Sequence, residues 1–373
     1  MSSRLRPFHF VISTRPHFFV ISTKAEAAWR DLSPVRTFPA NRVPAGMDFS
    51  EITVYMEDDM LRIKELMRTS LSSDIDLLNT TNEAIMDHPG KMLRPMLSLL
   101  CAKACSGGSL TEDSYSFAVA TELLHNATLL HDDVADKASS RRGRPTVMSL
   151  LGNSASVLLG DFWLVKAMDR ILGASGETDR VIRLFSRTLG DLAEGEMLQL
   201  QKASSGDTTE DDYFKIIFYK TASLFEAAAM SGAISVGAGE EYVRAVKEYA
   251  DIVGIAFQIK DDIFDYESGA SIGKPVGHDL MEQKITLPLL GALAAVPEEE
   301  AGIIRKKVCV IHEHPVYQEE IVRFVSEKGG MEYAYRKLCE YVDRAVAALD
   351  SLPDGRDKDC LVALAGFIAD RNS

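Results

Sequence analysis

No proline occurs between Thr146 and Lys274. Proline removes a backbone donor and clashes with the preceding helical turn, so so long a stretch without it permits long, unbroken helices. Ala, Leu, Met, Glu and Lys are abundant within it. Apolar residues recur at three- and four-residue spacing, as in DLAEGEMLQLQ (191–201) and DIVGIAFQIKDDIFDY (251–266). Gly-rich breaks at 106–108, 205–207 and 237–239 separate the segments, and period-two strand patterns are scarce after residue 47. Residues 47–373 read as one all-α domain, a single large helical bundle of ten or more helices.

Residues 1–46 differ. They hold seven basic residues against Glu26 and Asp31, five of the thirteen prolines, and a near-repeat, HFVISTRP then HFFVISTK. The Arg-rich, acid-poor composition resembles an organelle transit peptide, but the VIST blocks are strand-like, so its amphipathic helix is missing. We expect residues 1–46 to be an upstream extension, poorly ordered, and its deletion to leave activity intact. Import into an organelle is the alternative if it is a transit peptide.

The net charge of −14 argues against nucleic-acid binding, which rewards positive charge, but leaves room for a phosphate ligand in a local basic pocket. Cysteine is odd in number at five and forms no CxxC pair, so neither a disulfide framework nor a zinc site is expected, and a reducing, cytoplasmic setting fits. No apolar run is long enough for a transmembrane segment.

LLHDDVADKASSRRG (129–143) places Asp132, Asp133 and Asp136 inside an apolar run. On a helix Asp132 and Asp136 are one turn apart on one face, with Asp133 beside them. Carboxylates so close repel one another, more so in a cleft, and a cation relieves that repulsion. An all-oxygen donor set suits Mg²⁺, usually held by a few carboxylates plus substrate phosphates. One such cluster could be a solvated acidic face. QIKDDIFDY repeats the spacing with Asp261, Asp262 and Asp265, 129 residues on and again in an apolar helix. Two such helices facing across a cavity would clamp Mg²⁺ around a diphosphate.

With these motifs the chain resembles the trans-polyprenyl diphosphate synthases, the head-to-tail isoprenoid elongation family. The resemblance rests on the first aspartate motif with its trailing RRG, the second with its leading FQ, GKMLRP (90–95), GNSASVLLGDF (152–162), EGEMLQL (194–200), YKTASLF (219–225) and GKPVGHDLMEQKITLPLL (273–290). It covers roughly residues 85 to 290. It implies the isoprenoid synthase fold with a central cavity, a homodimer, about three Mg²⁺ per site on the six aspartates, and substrates isopentenyl diphosphate and an allylic diphosphate. Lys91, Arg94, His125 and Arg142 match the isopentenyl diphosphate site. Arg141, Lys220, Lys274 and Lys284 match the allylic diphosphate site. The family's usual GGKRxRP reads Pro89-Gly90-Lys91-Met92-Leu93-Arg94 here, which keeps the two binding residues. Taken singly, such cations are commonly solvated, and His125 alone would more often be a core histidine.

The reaction so implied is ionisation, condensation and elimination: the allylic diphosphate departs, the isopentenyl double bond attacks C1, and a proton is lost. Thr221, the Lys220 carbonyl and Gln258 would face the cation as dipoles, although Thr221 and Gln258 could equally serve ordinary helix hydrogen bonds. The product would grow past Ala127 and Thr128, five and four residues before Asp132, about 7.5 Å up the helix, and then past Leu124. None of these is aromatic, which resembles the long-chain octaprenyl or solanesyl branch that supplies quinone side chains. Short-chain farnesyl or geranylgeranyl synthesis is the alternative. A non-catalytic subunit of a heteromeric synthase would typically lack a cluster, and a class I terpene cyclase would need no isopentenyl diphosphate site.

Overall fold

The structure, a computed structural model, describes residues 47–141, 143–267 and 277–371. The expectations for residues 1–46, Arg142 and Lys274 fall outside the described residues. The described chain is almost entirely helical, as its patterning requires. The elements that build the site are α1 (Leu93–Ser106), α2 (Glu112–Ala135), the two-residue strands β1 (Ser140–Arg141) and β2 (Arg144–Pro145), α3 (Asn153–Leu172) and α4 (Thr178–Ser205). They continue with α5 (Glu210–Ile217), a π-helical turn (Phe218–Ala222), α6 (Ser223–Ser235), α7 (Glu240–Tyr266), α8 (Gly330–Ala348) and α9 (Arg356–Asp370).

The 24-residue α2 starts at a reciprocal cap: Thr111 Oγ1 accepts from the Ser114 amide at 3.1 Å, and Ser114 Oγ from the Thr111 amide at 3.0 Å. Glu112 and Asp113 lie in its first turn, where the helix dipole favours them. β1 and β2 pair antiparallel, Arg141 opposite Arg144, and Gly143 takes φ +73° at the turn. Sequence patterning had not marked this hairpin.

Helix α6 is buried on nearly every side and apolar apart from Glu226 and its serines, as suits a helix at the centre of a bundle. It packs on α1, α2 and α7; α2 lies along α3, and α7 along α8. A Cβ at Gly232 would fall 2.0 Å from the Ser98 carbonyl oxygen, so only glycine lets α6 approach α1 this closely. The core runs through these helices, with Phe117, Trp163, Phe185, Phe225 and Tyr249 fully buried.

Candidate active site

Both aspartate clusters stand at the C-terminal ends of long helices. Asp132 and Asp133 occupy the last turn of α2 and Asp136 caps it; Asp261, Asp262 and Asp265 occupy the last two turns of the 27-residue α7. A helix C-terminus carries partial negative charge and favours cations. Neither last turn contains a basic residue. Each cluster therefore adds carboxylates where the backbone already disfavours them; on α7 the neighbouring Lys260 stands over the Phe264 and Tyr335 rings, and cations from other elements balance much of the charge.

Part of that balance comes from the chain. Arg141 Nε donates to Asp133 Oδ1 at 2.9 Å, folding the β1–β2 hairpin back onto α2. Lys220 pairs with Glu196 of α4, and Lys284 pairs with Glu282. Burial pushes the Asp132 carboxyl up to about 6; Lys220 and Arg141 oppose this, while Glu196 and Asp136 add to it. Asp136 is raised too, first by burial and then by Glu282 and Glu196, against Lys284 and Lys220. Burial would lower Lys284, but Asp279, Glu282 and Asp136 outweigh it and hold the ammonium charged. These mutual fields place the end of α2, the π-turn and the segment after α7 around one volume. Carboxylates predominate there even after Lys220 and Lys284 are counted, and the clusters themselves offer oxygen ligands without thiol or imidazole. That donor set fits a hard divalent cation.

On the α7 side, Asp262 is fully enclosed. Tyr213 of α5 donates its hydroxyl to Oδ2 at 2.6 Å, and Gln258 donates its amide to Oδ1 at 2.8 Å. Burial and nearby Asp279 push this carboxyl well above the usual range, against those two donors. Asp265 accepts the backbone amides of His278 at 2.9 Å and Asp279 at 3.0 Å, which ties the following loop to α7. Asp261 accepts from Arg371 at 2.8 Å. Tyr213, Lys220, Gln258, Asp262, Asp279 and Lys284 line one open cleft.

Lys220 and Thr221 lie in the π-turn, where one extra residue per turn re-aims side chains without ending the helix. Two glycines hold it. A Cβ at Gly195 of α4 would lie 2.7 Å from Tyr219 Cβ, and one at Gly254 of α7 would lie 2.5 Å from Ala222 Cα. Thr221 donates its hydroxyl to Gln258 Oε1 at 2.9 Å.

The residues matched to isopentenyl diphosphate gather around aromatic rings. The Arg94 guanidinium stands over Phe225 at 4.7 Å, Phe225 meets Phe257 with centroids 5.5 Å apart, and Lys91 Nζ lies 5.2 Å from the Phe367 ring. His125 is half-buried on α2, two turns before Asp132. Leu124 and Ala127 are buried, and the Thr128 hydroxyl turns back to the His125 carbonyl at 2.8 Å.

Tyr213, Glu196, Asp279 and Arg371 were not singled out from the sequence. Glu196 and Asp279 stood inside recognised motifs. Tyr213 and Arg371 reach the clusters from 49 and 110 residues away, and no local pattern marks them.

A family model described as polyprenyl synthetase matches residues 75–321. The chain is 36% identical to the all-trans-nonaprenyl-diphosphate synthase (geranyl-diphosphate specific) of Rhodobacter capsulatus, over 87% of this chain and 99% of that one. It is also 36% identical to the octaprenyl diphosphate synthase of Escherichia coli, over 87% of this chain and all of that one. The crystal structure of a polyprenyl synthase from Caulobacter crescentus, complexed with calcium and isoprenyl diphosphate, superposes with TM-score 0.80 at 30% identity. The match covers 87% of this chain and 98% of that one.

Proposed function

The chain belongs to the polyprenyl synthetase family, and from that premise we propose that it adds isopentenyl diphosphate repeatedly to an allylic diphosphate. It is a prenyltransferase, and its product is a long-chain all-trans polyprenyl diphosphate. The observation that carries the site assignment is that Lys220 and Lys284, which act on Asp136 of α2, line one cleft with Asp262 of α7.

We assign Mg²⁺ to Asp132 and Asp136 from α2 and Asp261 from α7; bound there, it would neutralise charge on the departing diphosphate. Asp133, Asp262 and Asp265 are held mainly by protein donors and shape the walls. Lys220, Lys284 and Arg141 add fixed positive charge where the allylic diphosphate leaves. When its C1–O bond breaks, the electron pair goes to the diphosphate. The isopentenyl double bond then attacks C1, and the adduct gives up a proton to the released diphosphate, leaving a chain longer by one unit. Thr221 and Gln258 present oxygen dipoles to the allylic cation. Lys91, Arg94 and His125 would hold the isopentenyl diphosphate head group by charge-assisted hydrogen bonds.

We also propose a homodimer. Leu158, Val165 and Leu172 form an exposed stripe at seven-residue spacing on α3, and Met197 and Leu200 of α4 are more than half exposed. A seven-residue apolar seam matches helix–helix packing, and large exposed apolar side chains mark interfaces. Among the described residues no helix is long and apolar enough to cross a membrane. The free cysteines support our placing the activity in the cytoplasm.

The test is to incubate the purified chain with Mg²⁺, labelled isopentenyl diphosphate and farnesyl diphosphate, and to size the dephosphorylated products. Products longer than geranylgeranyl are expected. No incorporation would overturn the reading, and a product ending at farnesyl or geranylgeranyl would move it to the short-chain branch.

A further inference from the structure

We propose that Tyr213 is a positioning residue that sets the orientation of Gln258 through Asp262, and that Asp262 works as a hydrogen-bond hub rather than a metal ligand. The inference rests on the elongation reading and deepens it.

The argument starts from donors and acceptors. Tyr213 and Asp262 are both almost completely buried. Tyr213 occupies Asp262 Oδ2 at 2.6 Å, and Gln258, one turn earlier on α7, occupies Oδ1 at 2.8 Å. Each carboxylate oxygen thus already carries one protein donor. The Gln258 amide is held at both ends. Its NH₂ faces Asp262, and Oε1 points the other way, where Thr221 donates to it at 2.9 Å. Oε1, with its second lone pair, is the atom that can serve a developing cation in the cleft.

The relay is also a clamp between elements. Tyr213 on α5 and Thr221 on the π-turn belong to one continuous segment, and they grip Gln258 and Asp262 on α7 from its two ends. Losing the Tyr213 hydroxyl frees Asp262 to rotate, and Gln258 loses its fixed partner. The loss falls on transition-state orientation more than on substrate binding, because Tyr213 reaches the reacting atoms only through the other two residues.

The test uses Tyr213→Phe, which keeps the ring and its packing. We expect kcat to fall about tenfold, the range for an outer residue that orients an inner one, with KM for both diphosphates within about twofold. In a double-mutant cycle, Tyr213→Phe should cost nothing further once Gln258→Ala is present, because coupled residues are not additive. Calorimetric titration with Mg²⁺ and inorganic pyrophosphate should give Asp262→Asn near wild-type affinity while Asp261→Asn weakens it. An unchanged kcat in Tyr213→Phe, additive losses in the cycle, or equal weakening by both Asn variants would overturn the proposal. Crystal structures of wild type and Tyr213→Phe give a reading independent of turnover. Gln258 turned away from Asp262 only in the variant supports the relay, and an unmoved Gln258 overturns it. A wild-type chain that incorporates no isopentenyl diphosphate would instead overturn the reaction assigned above.

Discussion

Arg371, just past the last helical residue of α9, donates its Nη2 to Asp261 Oδ1 and to the Phe257 carbonyl, both at 2.8 Å, with its guanidinium 3.9 Å from the Phe257 ring. The C-terminal end of the described chain therefore supplies a cation to the second aspartate cluster and lies beside the rings that border Arg94. One charge should act on the two ligands with opposite signs. We expect Arg371→Ala to lower the half-saturating Mg²⁺ concentration about fivefold, roughly 1 kcal/mol for one exposed-side pair, and to raise KM for isopentenyl diphosphate. The lost stacking on Phe257 and Phe264 should also cost about 1 kcal/mol of stability. Steady-state titrations of each ligand check this; movement of both constants in one direction would contradict it.

The π-turn gives a contrast among three glycines. At Gly254 and Gly195 an added methyl would collide with Ala222 and with Tyr219, whose backbones cannot give way cheaply. Gly254→Ala should destabilise the fold by about 1–3 kcal/mol, the usual range for overpacking, and should lower kcat by displacing Lys220 and Thr221. Gly190, one turn before Gly195 on α4, has nothing within 4 Å of such a methyl. Gly190→Ala should stabilise by roughly 0.5–1 kcal/mol through reduced chain entropy and leave turnover unchanged. Thermal melts of the variants decide the matter.

The helical class was legible because proline is absent where the long helices run and apolar spacing is regular. Both clusters were legible because their six carboxylates repeat one spacing. Patterning did not show that each lies at a helix C-terminus whose last turn holds no basic residue, a fact that turns a repeated motif into a demand for cations. The π-turn was hidden, since YKTASLF has ordinary helical composition and the bulge comes from packing against Gly195 and Gly254. Lys91 and Arg94 were identified only through the family resemblance. Tyr213 and Arg371 were unreadable because their meaning lies in contacts made across the fold.

A buried charge group away from the clusters sets a pH dependence. Glu226 of α6 takes hydrogen bonds from Arg187 of α4 at 2.7 Å and from Lys247 of α7 at 3.0 Å; Lys247 also pairs with Asp251 at 2.6 Å, and Asp191 flanks Arg187. Burial pushes Asp251 up to about 7, against the Lys247 hydrogen bond and with Glu226 adding. Between about pH 4 and pH 7 the folded state therefore holds a proton that the unfolded state has released. Stability from this group is greatest at the acid side and falls as pH rises through that window. Asp251→Asn should flatten the fall and raise stability at pH 8 by on the order of 1 kcal/mol. Melting temperatures of both proteins from pH 4.5 to 8 test it; parallel curves would sink it.

Ala127 connects the metal end of α2 to product length. It lies five residues before Asp132, about 7.5 Å along the axis, and is fully enclosed, as is Leu124. A phenyl ring at this position meets one of two environments. If the product grows past Ala127, the ring occupies space that the isoprenoid would use, and Ala127→Phe should leave the first additions within a few-fold of wild type while truncating the product to the short-chain range. The melting temperature should then change little, because the ring fills a volume reserved for ligand. If Ala127 is simply packed against neighbouring helices, the same ring should cost about 1–3 kcal/mol and leave the length of the residual product unchanged. Product sizing and a thermal melt on the same preparation separate the two: short products with a near-native melt place the growing chain along α2, and long products with a lowered melt route it elsewhere in the bundle.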